Sequence, residues 1–262
     1  MDKNVKISLV LNIIVFVFAV VGSIFCFGEI YIIYTKPLDH GIRLLKFFTV
    51  QSNVFAGITS LLYIIYLLKS NNTKKPIPMT VHILRYIATI NLVITFLVVA
   101  LFLGFIVEEG YFSLYVNANF FFHFAIPVLN TISFVYFEKR PKFKLSHTFV
   151  GLIHLALYGI FYFVVVITHF EGGAVPLEYD WYAFAQLGLG IAFVCAVVVF
   201  GLGYFVAFLL YRLNNGPTTK KIKTVNNNNI TNNSPMDYPD VNKNHEHDSL
   251  EFDETMDILE NE

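Results

Sequence analysis

Long, almost uninterrupted apolar runs separated by short clusters of charge constrain this chain more than anything else in it. A run of about 20 apolar residues is long enough to cross the hydrocarbon core of a bilayer as a helix. Six such runs can be read, at about residues 7–33, 47–68, 81–107, 118–137, 145–169 and 181–211. In lipid every backbone polar group must be paired within the protein, so continuous apolar runs predict helices. A transmembrane barrel would instead show short segments of alternating polarity, which these are not. Composition agrees: 56% of the 262 residues are hydrophobic and only 14% are charged, well below the quarter or so of a soluble domain. The expected fold is all-α, a six-transmembrane-helix bundle.

The first run follows Lys3 and Lys6, as a signal peptide would. Its apolar stretch is too long for a signal core and no small-x-small cleavage site follows, so it is expected to remain as a helix. The net charge of −1 gives no reason to expect nucleic acid as a partner. The placement of Lys and Arg is more telling, because cytoplasmic loops collect them. Lys3 and Lys6, then Lys69, Lys74 and Lys75, then Lys139, Arg140, Lys142 and Lys144, then Arg212 and the lysines beyond it, all fall on one side of the predicted topology. The 3–4 and 5–6 loops contain neither Lys nor Arg; only the 1–2 loop, with Lys36, Arg43 and Lys46, breaks the pattern. A multi-pass protein of the cell membrane with both termini cytoplasmic is the expectation.

The membrane domain is expected to occupy residues 1–213, with a tail over 214–262. The tail starts as an Asn-rich linker and ends in the acidic "HEHDSLEFDETMDILENE". Too few large apolar residues occur there to form a core, so disorder is predicted. Its HEH lacks further ligands at useful spacing, and no metal or other cofactor is expected. Asn229 and Asn232 are sequons on the predicted cytoplasmic side and carry no glycosylation role. Cys26 and Cys195 lie in different runs and make no disulfide framework.

Polar residues inside the runs are where function is sought. His82, Arg85 and His147 lie near cytoplasmic ends, where long side chains reach headgroups. Trp181, Tyr179 and Tyr182 read as an interfacial belt. In "KFFTVQSN", residues 46–53, Thr49, Ser52 and Asn53 share one helical face. In "NANFFFHFAIPVLN", Asn119, His123, Pro127 and Asn130 form a similar stripe, and His154 and Tyr158 follow in the next run. Thr49 and His123 both fall one or two turns below the outer surface, at a shared depth. A threonine hydroxyl becomes a nucleophile when a neutral imidazole takes its proton. Ser52, Asn53 and Asn119 are candidates to orient substrate or to donate to an oxyanion. Helix gluing by Ser, Thr and Asn is the competing use of the same residues.

The Lys-aromatic-aromatic-Thr opening of the second run, followed by His123 and Pro127 and later by "VPLEYDWYAF", resembles the Pr6Pr family of six-span bacterial membrane proteins. More distantly it is similar to the androgen-induced family of eukaryotic lipid hydrolases. The resemblance covers about residues 5–212. It implies a threonine-type hydrolase of lipid-like esters, with Thr49 as nucleophile and His123 as base. Membrane lipid is then both surroundings and substrate source. The alternative is a non-enzymatic membrane protein, a small-solute transporter or a helix-packing scaffold.

Overall fold

The computed structural model describes residues 2–27, 41–106, 110–186 and 188–216. Of the predicted tail, Asn214 and Asn215 belong to the last helix, and residues 217–262 lie outside the described residues. The described residues are helical, with one isolated bridge between Glu171 and Ala174 as the exception in backbone pairing. Four helices are long and apolar enough to cross a membrane: α1 (Lys3–Phe27), α2 (Phe48–Thr73), α3 (Met79–Leu103) and, last in the chain, α6 (Leu189–Asn215). Between them lie two shorter apolar helices, α4 (Phe121–Phe137) and α5 (Ile153–Thr168). At 1.5 Å per residue these two are about 24–26 Å long, somewhat shorter than the ~30 Å hydrocarbon core. A helical turn at His147–Gly151 leads into α5, with Leu152 breaking it.

α3 is the axis of the bundle. It packs against α2, α4, α5 and α6. Twelve of the residues from Met79 to Val98 are buried, from Val81 and His82 through Tyr86, Ile90 and Leu92 to Thr95. A helix apolar on nearly all sides belongs in the middle of an assembly. α1, α5 and α6 are peripheral, and each turns large apolar side chains outward, such as Val10 and Val17, Leu157 and Ile160, Phe193 and Val198. Apolar faces of that extent belong against lipid. α1 reaches α2 closely because residue 57 is glycine: a Cβ there would lie 2.6 Å from the Cβ of Ala19.

Pro127 has no N–H to give, and its ring crowds the carbonyl four residues back, that of His123. The chain answers with a π turn at Phe121–Ala125, just upstream. Such turns absorb local helix disruption and gather at functional positions. A second π turn at Ser133–Phe137 ends α4, and Glu138 beyond it is extended, with φ −78° and ψ 120°.

The sequence places a sixth helix from residue 181. In the structure that helix begins at Leu189. The cause is Asp180, fully buried in the 5–6 loop. Its Oδ1 accepts from the Tyr162 hydroxyl and from the Phe184 N–H. Its Oδ2 accepts from the Ala185 N–H (2.9 Å) and Gln186 Nε2 (2.9 Å). Donors that would otherwise start a helix are held by this carboxylate, and Gly188 at φ +101° then turns the chain into α6.

Two ends can be told apart. Asp2 pairs with Lys139 at 2.8 Å, and Asn215 accepts from the Phe143 N–H at 2.9 Å, so the N-terminus, the α4–α5 connection and the end of α6 share one end. The start of α2 meets α5 and the 5–6 loop at the other: the Tyr158 hydroxyl donates to the Lys46 carbonyl, and the Phe48 N–H donates to the Tyr182 hydroxyl.

Replacing Asp180 with Ala strands the buried donors it holds and is expected to cost about 3 kcal/mol, the scale of unpaired buried polar groups. Thermal unfolding of Asp180→Ala beside Asp180→Asn measures it, with the asparagine variant expected to lose less.

Candidate functional site

α2 begins at Phe48 without a side-chain cap of its own. The Tyr182 hydroxyl from the 5–6 loop takes the Phe48 N–H instead. Burial holds the Tyr182 phenol well above its ordinary range, so it stays protonated. Tyr158 and Trp181 complete the collar: the indole N–H donates to the Tyr158 hydroxyl at 3.0 Å. Of the residues expected in an interfacial belt, Tyr182 and Trp181 join Tyr158 in clamping the first turn of α2, while Tyr179 stacks on His169. Lys46 lies over the Phe47 and Trp181 rings, 5.3 Å from each centroid.

Beneath this collar is a cavity of about 560 Å³ bounded by α2, α3, α5 and α6. Its wall is almost wholly apolar, and Thr49, Thr95 and three tyrosines are the lining residues that carry hydroxyls. Ile160, Val164, Phe193 and Val197 belong both to its wall and to the outward face of the bundle. The cavity therefore opens sideways, toward the lipid side. Thr49 is half-buried, and its hydroxyl makes no hydrogen bond among the described residues.

The other polar residues of "TVQSN" are occupied with fastening. Ser52 Oγ donates to the Thr49 carbonyl (3.0 Å) and lies 3.1 Å from Thr95 Oγ1 on α3. Asn53 Nδ2 donates to both the Thr49 carbonyl (2.7 Å) and the Phe122 carbonyl of α4 (3.0 Å). That one amide bridges α2 to the residue before His123, so the two helices are neighbours at this level. The Asn53 Oδ1 is buried without a partner.

His123 is buried, and its Nδ1 is 2.6 Å from the Leu114 carbonyl. A carbonyl only accepts, so Nδ1 carries the proton and the lone pair of the neutral ring is on Nε2. No hydrogen bond joins His123 to Thr49 among the described residues, and His123 is not in the cavity wall. Asn119 is half-buried at the foot of α4, its backbone N–H bonded to the Val116 carbonyl. His154 stacks between Phe48 (5.4 Å) and Phe55 (5.7 Å) and lies 2.9 Å from Asn91 Nδ2. Thr49, Ser52, Asn53 and the Phe122–His123 backbone are thus brought together, while the imidazole of His123 points to the 3–4 loop.

A second polar cluster sits at the opposite end, and here the sequence reading needs correction. Arg85 does not reach out to headgroups; it is 0% exposed. Its Nη2 and Nε donate to Glu138 Oε1 at 2.7 and 3.2 Å, and its Nη1 to Ser60 Oγ (2.8 Å) and Asn130 Oδ1 (2.6 Å). Asn12 of α1 and Ser133 of α4 also donate to Glu138 Oε1. Asn130 Nδ2 reaches on to Thr89. His82, likewise expected at the surface, is buried beside this cluster with the Tyr63 ring edge-on to it. Between the two polar layers lies an apolar septum of Ala56, Ala88, Leu92 and Ile126, each fully buried. The sequence held one signal of this cluster: Ser8, Asn12, Asn130 and Ser133 are polar residues inside apolar runs and needed something to bind.

Just beyond α4, burial pulls the Arg140 guanidinium down to about 10, opposed by the nearby Glu138 charge; it remains cationic at neutral pH. Asp2, at the exposed surface, is held below its usual value by the hydrogen bond and charge of Lys139. No group of metal-ligating side chains occurs among the described residues. Compared with known protein families, with characterised proteins and with solved structures, the chain matches none.

Glu138→Ala leaves Arg85 buried without its counter-charge and is expected to cost about 3–5 kcal/mol. Asn53→Leu removes two side-chain-to-backbone bonds and is expected to cost about 1–2 kcal/mol. Denaturant midpoints in a single detergent check both.

Proposed function

We propose that the protein is a six-crossing membrane protein, both ends cytoplasmic, that draws the acyl chain of a lipid ester sideways into its cavity and hydrolyses the ester at Thr49. The observation that carries this reading is the cavity itself: apolar, open toward lipid, and lined in part by Thr49, whose hydroxyl is unengaged among the described residues. An acyl chain fills such a space by the hydrophobic effect, while the ester stays at the polar collar near the membrane surface. The six crossings are supported by the two apolar helices α4 and α5 and by the alternation of connections between the two ends.

In this reading Thr49 Oγ attacks the ester carbonyl as His123 Nε2 takes its proton. The protonated imidazole then returns the proton to the departing alcohol, and water repeats the sequence on the acyl-threonine. The Leu114 carbonyl fixes the tautomer that leaves Nε2 basic. The two groups meet only if the substrate-bound form brings the His123 ring round toward Thr49; catalytic hydrogen bonds commonly tighten on binding. The π turn around His123 is the natural place for that adjustment.

A second reading, an acyl-binding membrane protein without chemistry, is favoured by the absence of His123 from the cavity wall. One experiment separates them. Purified protein is treated with a long-chain fluorophosphonate probe, and labelling is compared among wild type, Thr49→Ala and His123→Ala. The hydrolase reading expects labelling lost in Thr49→Ala and slowed about 10²–10⁴-fold in His123→Ala. Labelling unchanged by either substitution, or none in wild type despite saturable binding of a fatty acyl ligand, leaves the second reading. The topology is checked by cysteine accessibility in intact cells, with residues 111–116 and 171–174 expected outside and 139–144 inside.

A further inference from the structure

Glu138 is used lopsidedly. Its Oε1 accepts from Arg85 Nε and Nη2, from Asn12 Nδ2 and from Ser133 Oγ. Its Oε2 is buried and accepts from nothing. A carboxylate in a dry interior normally spreads its lone pairs over both oxygens, because each unpaired one is costly. Two residues along the chain is a second guanidinium in the complementary condition. Arg140 Nε and Nη1 are buried without partners, while Nη2 donates to the Val135 carbonyl at 3.3 Å. The guanidinium lies flat on Phe134, 3.8 Å from the ring centroid, which keeps it at the end of α4.

We propose that Glu138 is shared between Arg85 and Arg140, and that exchange between them makes this end of α1, α3 and α4 a two-position latch. In the position seen, Oε1 holds Arg85 and, through Asn12 and Ser133, ties α1 to α4. In the other, the carboxylate turns to Arg140 and leaves Arg85 with Ser60 and Asn130, which already engage its Nη1. The movement is local. Glu138 is extended and lies just outside the helix, so its side chain is not bound to a helical register. Neither position satisfies every group: in the first Arg140 is short of acceptors, in the second Arg85 is. That near-balance is what a two-state element requires. Other polar groups near the carboxylate are Tyr63 of α2 and His82 of α3, whose buried Nδ1 also has no partner. Asn12, the buried polar anchor of α1, would lose its 3.3 Å bond to Glu138 and keep its 2.9 Å bond to Ser133 Oγ, and its Oδ1 is likewise unpartnered. The latch thus sets whether α1 is tied to the carboxylate as well as to Ser133.

The test is a thermodynamic cycle on the full chain in detergent micelles, read as unfolding temperature, for Arg85→Gln, Arg140→Gln and the double variant. If Arg140 is the alternative partner, it rescues the carboxylate when Arg85 is gone. The double variant should then lose about 5 °C or more beyond the sum of the single losses. Additive losses mean that Arg140 is a bystander and overturn the proposal. Should the double variant fail to fold, the same pair is made with Glu138→Gln. Removing the stranded charge is expected to restore a folded protein, and failure to restore it also counts against the latch. A second readout follows motion. In a Cys26→Ala/Cys195→Ala background, Ala88→Cys at the septum is treated with a water-soluble maleimide. Arg140→Gln, which fixes the latch on Arg85, should slow modification several-fold, and Arg85→Gln should speed it; equal rates in all three proteins overturn the exchange.

Discussion

A guanidinium and a carboxylate, each without exposed side-chain surface, face one another inside a bundle whose outer faces are hydrocarbon-like. Charges in such a place are tolerated when each finds a partner, and one oxygen of Glu138 here collects four donors. The neighbouring structure follows from that demand. Arg85 recruits Ser60 from α2 and Asn130 from α4; Glu138 recruits Asn12 from α1 and Ser133 from α4. Four helices that have no hydrophobic reason to choose one another over lipid are thereby given a specific arrangement. α3 carries Arg85 and lies at the centre for that reason as well as for its all-round apolar surface.

The opposite end is organised differently, by aromatic hydroxyls acting on a backbone. Tyr182, Tyr158 and Trp181 fasten the first turn of α2 to α5 and the 5–6 loop, and Asp180 shapes that loop from within. The cavity lies below this collar, between α2, α3, α5 and α6. The Thr49 hydroxyl is left unengaged while Ser52 and Asn53 are spent on helix contacts. An apolar septum divides this end from the charged cluster.

Much of this was legible in the residues. Apolar runs announced helices, and Pro127 announced a disturbance in α4, met as a π turn. The shared level of "TVQSN" and the start of α4 could be counted in turns, whereas their adjacency, made by Asn53 bonded to the Phe122 carbonyl, could not. Boundaries were less legible where a side chain competes with a helix for backbone donors: Asp180 delays α6 to Leu189. The charged cluster was misread, since an arginine six residues into a helix has a long side chain that reaches outward as readily as inward. Only the position of Glu138, 53 residues later in the chain, decides between them.

The sequence by itself determined that this chain forms apolar helices and which residues are polar within them, because helix formation and burial in lipid depend on local composition and periodicity. Tertiary structure decided which polar groups meet. Arg85 with Glu138, Asn53 with the Phe122 carbonyl and Tyr182 with the Phe48 N–H are each set by how helices lie across from one another. It also decided that the His123 imidazole is bonded to Leu114 and not to Thr49. Periodicity fixes the face and depth of a side chain on its own helix, but the direction to a partner exists only once the helices are packed.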